Sequence, residues 1–171
     1  MKKYKTEIKW TLIFSAVVLL WMWLEKISGL HSTYLDYHLY LTNLFAIPAI
    51  LMFVLALKDK KKNDYGGRMR YGQGVVSGII LSVMVALLSP LTQWMTSYVI
   101  TPEYFPNVIR RSVETGYFKT NAAAAAHFNF QNYAIMGALN ALVMGIVVTL
   151  VVMLFLRTKK RQAEMPVATP A

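Results

Sequence analysis

The 171 residues suggest about one domain, and 56% of them are hydrophobic, most of these in four blocks. That distribution excludes an ordinary water-soluble helical domain, which shows a polar face every third or fourth residue, and the absence of cysteine excludes disulfides, thiolate catalysis and cysteine metal sites. The net charge of +10 sits on the flanks of the apolar blocks and not in an aromatic-interleaved basic fold, so it does not read as nucleic-acid binding.

The first apolar segment covers approximately residues 8–27. It carries Trp10 near one end and Trp21 and Trp23 near the other, as aromatic belts at two membrane interfaces would. Lys9 is placed to snorkel back to headgroups, and Glu25 and Lys26 close the segment at its far boundary. The start resembles a secretion signal, but the residues after it, Leu24-Glu-Lys-Ile-Ser-Gly-Leu-His31, offer no small-residue cleavage site, so the segment counts as a membrane helix. A short polar and aromatic loop, 28–38, leads into the second segment, 39–57. That segment holds Asn43 near its start and Pro48, where a kink is expected. Residues 58–71 read as a basic loop with a Gly66-Gly67 turn. The third segment, 75–100, is longer than a perpendicular crossing needs and must tilt, kink at Pro90 or project.

Residues 101–131 form the one sizeable stretch on the far side. Thr101-Pro-Glu103 has the makings of a helix start: a capping hydroxyl, a proline, then an acid. Phe105, Val108, Ile109 and Val113 then share a face and Gly116 supplies a stop, giving an amphipathic helix that lies on the bilayer or caps the bundle. The alanine run 122–126 predicts a second short helix. The fourth segment covers 133–156, and the proline-bearing tail 161–171 reads as disordered.

Each of the four segments reaches across a hydrocarbon core of about 30 Å at about 1.5 Å per helical residue. Being apolar all round, they fit helices and not alternating barrel strands. The expected fold is therefore an all-α integral membrane protein, one four-helix domain over 1–160 with a short helical segment between helices three and four. Of the 18 basic residues, 14 lie at the N-terminus, in the 58–71 loop or after the fourth segment, and four (Lys26, Arg110, Arg111, Lys119) on the other side. The positive-inside bias puts the first set, and both termini, in the cytoplasm, against anionic headgroups.

Two stripes of small residues stand out. Gly74, Gly78, Ser82, Ala86, Ser89 and Gln93 recur along the third segment, and Gly137, Ala141, Gly145 and Thr149 along the fourth. Such spacing lets membrane helices approach closely, so antiparallel packing of these two segments is expected, with a seam between two copies as the alternative. Uncharged polar groups at membrane depth, Asn43, Gln93 and Asn140 among them, join helices by bonds worth about 0.6–1.7 kcal/mol, or line a polar path. No charged residue lies there, which weighs against proton-coupled transport. On the far side Glu25, His31, Asp36, His38 and His127 are the groups from which a metal site or acid–base pair could be assembled. Their spacing matches no metal-binding helix motif, and interfacial polar groups are the plainer reading. Gly72-x-Gly74-x-x-x-Gly78 has the wrong spacing for a dinucleotide turn and follows no strand.

Thr42-Asn-Leu-Phe-Ala-Ile-Pro48, Lys58-Asp-Lys-Lys-Lys-Asn-Asp-Tyr-Gly-Gly67, Leu88-Ser-Pro-Leu-Thr-Gln93, Ile100-Thr-Pro-Glu-Tyr-Phe105, Val113-Glu-Thr-Gly116 and Ala141-Leu-Val-Met-Gly-Ile146 together resemble a bacterial family of small membrane proteins, domain of unknown function 4199. The resemblance covers about residues 3–158 and implies a four-helix protein of the bacterial cytoplasmic membrane. It implies no activity. The family's second outer helix is usually richer in charge than the alanine run here. The expected function is a non-enzymatic scaffold or accessory subunit, without a cofactor, acting through a second copy or another membrane protein. A small oligomeric permease with a path past Gln93 and Asn140 is the alternative, and a metal-dependent enzyme on the far face the third reading.

Overall fold

Helices that are apolar all round need small faces to approach one another, and the architecture is organised by where those faces meet. The computed structural model describes residues 4–158. In chain order it holds α1 (Lys5–Ile27), α2 (Leu35–Leu41), α3 (Ala46–Asn63), α4 (Tyr71–Met95), α5 (Tyr104–Glu114), α6 (Asn121–His127) and α7 (Phe130–Leu156), with no strand among the described residues. Four helical stretches, Lys5–Ile27, Leu35–Asn63, Tyr71–Ile100 and Asn121–Leu156, are long and apolar enough to cross a membrane. The tail 161–171, expected to be disordered, lies outside the described residues.

The antiparallel pair α4–α7 forms the central seam. Gly74 faces Met153, Gly78 faces Thr149 and Gly145 faces Ser82 and Phe53, so that each step of four along α4 is answered by a step of four back along α7. The two stripes thus occupy each other within one chain. A methyl group built on Gly78 would lie 2.1 Å from the Thr149 Cγ2, and one on Gly145 would lie 2.4 Å from the Ser82 Oγ; at both places only glycine allows the approach. At the other end of the seam Gly137 is looser, 3.7 Å from the Ser89 Oγ. α1 packs on α4 and α3, and α3 closes the ring against α7. Ser82 and Thr149 are fully buried, whereas Leu87 and Phe155 are 77% and 81% exposed. Small polar groups inside and large apolar groups outside reverse the arrangement of a water-soluble bundle.

Several boundaries differ from expectation, each for a local reason. The second segment bends at a tightened turn, Thr42–Phe45, one turn ahead of Pro48. Proline has no N–H for the carbonyl four residues back, which frees that of Leu44, and the Asn43 Nδ2 donates to the Leu39 carbonyl at 2.7 Å. α3 then continues to Asn63, into the expected basic loop, because Lys60 is buried between Glu7 (2.9 Å) and Asp64 (2.6 Å) and the Lys61 Nζ donates to the Leu156 carbonyl at the end of α7. Lys9 pairs with Asp59 at 2.7 Å, and the Trp10 Nε1 donates to the same carboxylate, so these groups serve helix packing. α4 runs on through Pro90 and ends in a wider π turn, Thr96–Ile100, where the Thr101 N–H donates to the Thr96 carbonyl.

The expected Thr101 hydroxyl cap does not form. α5 begins at Tyr104, and the Thr101 Oγ1 is buried without a partner. Its stop is as expected: Gly116 takes a φ of +75°, a left-handed conformation that closes the helix. Thr120 caps α6 by accepting from the Ala123 N–H, and Asn129 caps α7 by accepting from the Asn132 N–H. α5, α6 and the 28–34 loop cover one end of the bundle, the capped end. The Lys58–Arg70 region, Tyr4 and Thr158 lie at the other, the basic end.

Candidate functional site

Two features at the capped half of the bundle gather polar groups. The first is built on the hairpin between α1 and α2. Gly29, at a φ of +80°, accepts two backbone hydrogen bonds, from Ser32 and Tyr34, and so reverses the chain within a few residues. That reversal brings Glu25 on the last turn of α1, His31 in the loop and His38 on α2 together. The Glu25 Oε2 lies 3.1 Å from the His31 Nε2 and 3.3 Å from the His38 Nε2. Glu25 and His31 are 3% and 2% exposed, while the His38 side chain is 19% exposed, so the cluster is open only on the His38 side. One potential ligand atom from each of the three residues lies within 4.8 Å of the other two.

Around this trio the packing is specific. The other oxygen of Glu25, Oε1, accepts from the Trp21 Nε1 at 2.6 Å, one helical turn back. Tyr104 of α5 lies against both imidazoles, with ring centroids 5.1 and 5.2 Å away, and the imidazoles meet each other at 5.1 Å. Burial, with Tyr133 and then Glu25 nearby, pushes the Tyr104 phenol above its ordinary range, so it stays neutral and shares a 3.2 Å hydrogen bond with the Tyr133 hydroxyl. The Asn107 side chain donates to the His31 carbonyl at 3.0 Å, and Lys26 turns away to the Ile100 carbonyl and Glu103. The His31 Nδ1 is buried without a hydrogen-bond partner.

Of the five far-side groups singled out in the sequence, these three converge and two do not. Asp36 faces the surface in a two-pronged pair with Arg111, at 2.8 and 2.6 Å. His127 meets Phe128 edge to face at 4.9 Å and Phe118 at a tilt at 5.5 Å. Trp21, Asn107, Tyr104 and Tyr133, which complete the surroundings, carry no sequence signal of that role.

The second feature is a cavity of about 340 Å³ between α1, α3, α4 and α7. Its wall is mostly apolar, with Phe14, Phe45 and Phe53 among its residues, and its polar groups are Ser15, Ser89, Thr92, Gln93 and Asn140. Gly137, Ala141 and Gly145 complete the α7 side. Gln93 and Asn140 therefore share one cavity, whereas Asn43 lies outside it on an exposed face. The Gln93 Nε2 is bonded to the Ser97 Oγ at 2.9 Å, and the Ser89 Oγ is buried without a partner. Trp21 links the two features, since its ring packs on Phe45 at 5.7 Å while its Nε1 holds Glu25.

Together the fold and these sites define an all-helical bundle with four helices of membrane-crossing length, a helical cap over one end and an internal cavity beneath it. The chain belongs to the family described as "Protein of unknown function (DUF4199)", whose model matches residues 9–158. It matches no curated protein and no solved structure.

Proposed function

We propose that the chain is a non-enzymatic accessory protein of a bacterial cytoplasmic membrane, its basic end and both termini in the cytoplasm, acting through a second copy or another membrane protein. This orientation is what the positive-inside bias favours, since 14 of the 18 basic residues fall in the sequence before the first apolar segment, between the second and third, or after the fourth. The bacterial setting rests on the family resemblance. Phosphate headgroups of the inner leaflet are the natural partners of the unpaired part of this charge.

The observation that supports this reading over a permease is that the cavity's lining goes no further toward the basic end than Phe53, Val85 and Val148. Its floor is the buried cluster of Phe53, Ala56, Leu81 and Val85, with Phe14 and Val148 packed against it. Beneath that floor the Glu7–Lys60–Asp64 network fills the basic end, leaving a space of only about 10 Å³ beside Glu7 and Lys60. A solute passing through one chain would have to break a buried ion pair, which costs about 3–5 kcal/mol when one partner is lost.

Reconstituted into liposomes, the protein is expected to pass no ions or small solutes above the lipid background, and to bring down a partner membrane protein or a second copy under native mass spectrometry. Flux that scales with protein and disappears in a folded Gln93→Ala, Asn140→Ala variant would overturn this reading in favour of the permease.

A further inference from the structure

We propose that Glu25, His31 and His38 form a binding site for a single divalent transition-metal cation of the zinc type. Two imidazole nitrogens and one carboxylate oxygen are a ligand set for such ions, which zinc takes in sites that keep a fourth position open. Tetrahedral coordination at about 2.0–2.1 Å from the metal sets ligand atoms about 3.3 Å apart. The Glu25 Oε2 stands 3.1 and 3.3 Å from the two Nε2 atoms, close to that spacing, and one ligand atom from each of the three residues lies within 4.8 Å of the other two.

Two further observations point the same way. First, the outer contacts are those of a supported site: the Trp21 Nε1–H holds the Glu25 oxygen that would not ligate, at 2.6 Å, and Asn107 fixes the loop through the His31 carbonyl. Second, the site is closed on all but one side and open at His38, the half-buried ligand, which gives an ion its path of entry. The bound ion would tie the last turn of α1, the 28–34 loop and α2 into one unit beneath Tyr104.

The test uses full-length protein without an affinity tag, freed of metal and held in lipid nanodiscs. Because the chain has three histidines, the third, His127, is the internal control. Titration with Zn²⁺ by calorimetry is expected to give one equivalent per chain. His38→Ala is expected to abolish that binding, Trp21→Phe to weaken it about 10–100-fold, and His127→Ala to leave it unchanged. Binding that survives His38→Ala, or that is lost with His127→Ala, would overturn the proposal and mark the ion as adventitious. Should His38→Ala lose helical circular dichroism, X-ray absorption at the zinc edge of the unaltered protein decides: two imidazoles per zinc support the site, and one or none refutes it. Failure to bind either Zn²⁺ or Co²⁺ stoichiometrically also refutes it.

Discussion

Gly78 has no room for a methyl group, and the reason shows how single residues set the spacing of the bundle. A Cβ there would meet Cγ2, Oγ1 and Cβ of Thr149 at 2.1, 2.3 and 2.8 Å; a rotamer change could move the first two but not the third. At Gly145 the obstruction is Ser82 Cβ at 2.9 Å and Phe53 Cζ at 2.8 Å. At Gly74 it is the flexible end of Met153, which can swing aside, and at Gly137 it is ordinary contact at 3.7 Å. Overpacking a close contact costs about 1–3 kcal/mol, while alanine gains about 1 kcal/mol of helix propensity over glycine. Gly78→Ala and Gly145→Ala are therefore expected to lower the unfolding midpoint in detergent, Gly74→Ala to lower it less, and Gly137→Ala to leave it unchanged or raise it. Equal effects at all four positions would show that backbone entropy, and not close approach, decides. Lys60 belongs to the same scale. It reads in the sequence as one more basic loop residue, but its ammonium lies between Glu7 and Asp64, and removing it would strand the buried Glu7 carboxylate.

At the scale of elements, the cap is held by few directional contacts, which makes it separable from the bundle. α5 meets the α1–α2 hairpin through the Asn107 hydrogen bond to the His31 carbonyl, the Tyr104 ring on the two imidazoles and the exposed Asp36–Arg111 pair. The exposed pair is screened by solvent and adds little. The buried end of a hydrogen bond adds about 1 kcal/mol. Asn107→Ala is thus expected to speed hydrogen exchange in the 28–34 loop and α5 while α4 and α7 keep their protection, because local opening follows the weakest contacts. Uniformly faster exchange would mean that cap and bundle open as one unit. How legible these elements were follows from what forms them. The four long helices stand out as apolar runs, because burial in lipid and burial in the seam select the same residue types. The stripes at Gly74–Ser82 and Gly145–Thr149 show as spacing. The bend near Thr42–Phe45 is announced by Pro48, which frees a carbonyl one turn back, but the helical course through Lys60 does not show, since it depends on a partner more than 50 residues away. Glu25, His31 and His38 are individually visible, but their meeting depends on a chain reversal at Gly29 that brings a helix end, a loop and a short helix together, and no helical or strand period records that.

For the molecule as a whole, the two ends of the bundle differ in kind, and the proposed orientation rests on that difference. The basic end is filled by Glu7, Lys60, Asp64, Lys9 and Asp59 in mutual pairs, and also carries Lys58, Lys62, Arg70 and Arg157. The capped end pairs three of its four basic residues locally: Arg111 with Asp36 and Glu114, Arg110 with Glu114, Lys26 with Glu103. The proposed orientation, with the basic end in the cytoplasm, rests on this asymmetry, since each basic group near an anionic surface is worth about 1 kcal/mol. The cysteine-free sequence lets this be read directly. A single cysteine at Thr115, exposed after α5, and another at Asn63, exposed at the end of α3, report opposite faces. In intact cells a membrane-impermeant maleimide is expected to label Thr115→Cys, and to label Asn63→Cys only after the membrane is opened. The reverse pattern would place the basic end outside, and the Glu25–His31–His38 cluster would then face the cytoplasm. Labelling of both in intact cells would mean that the bundle does not span the bilayer as four crossings.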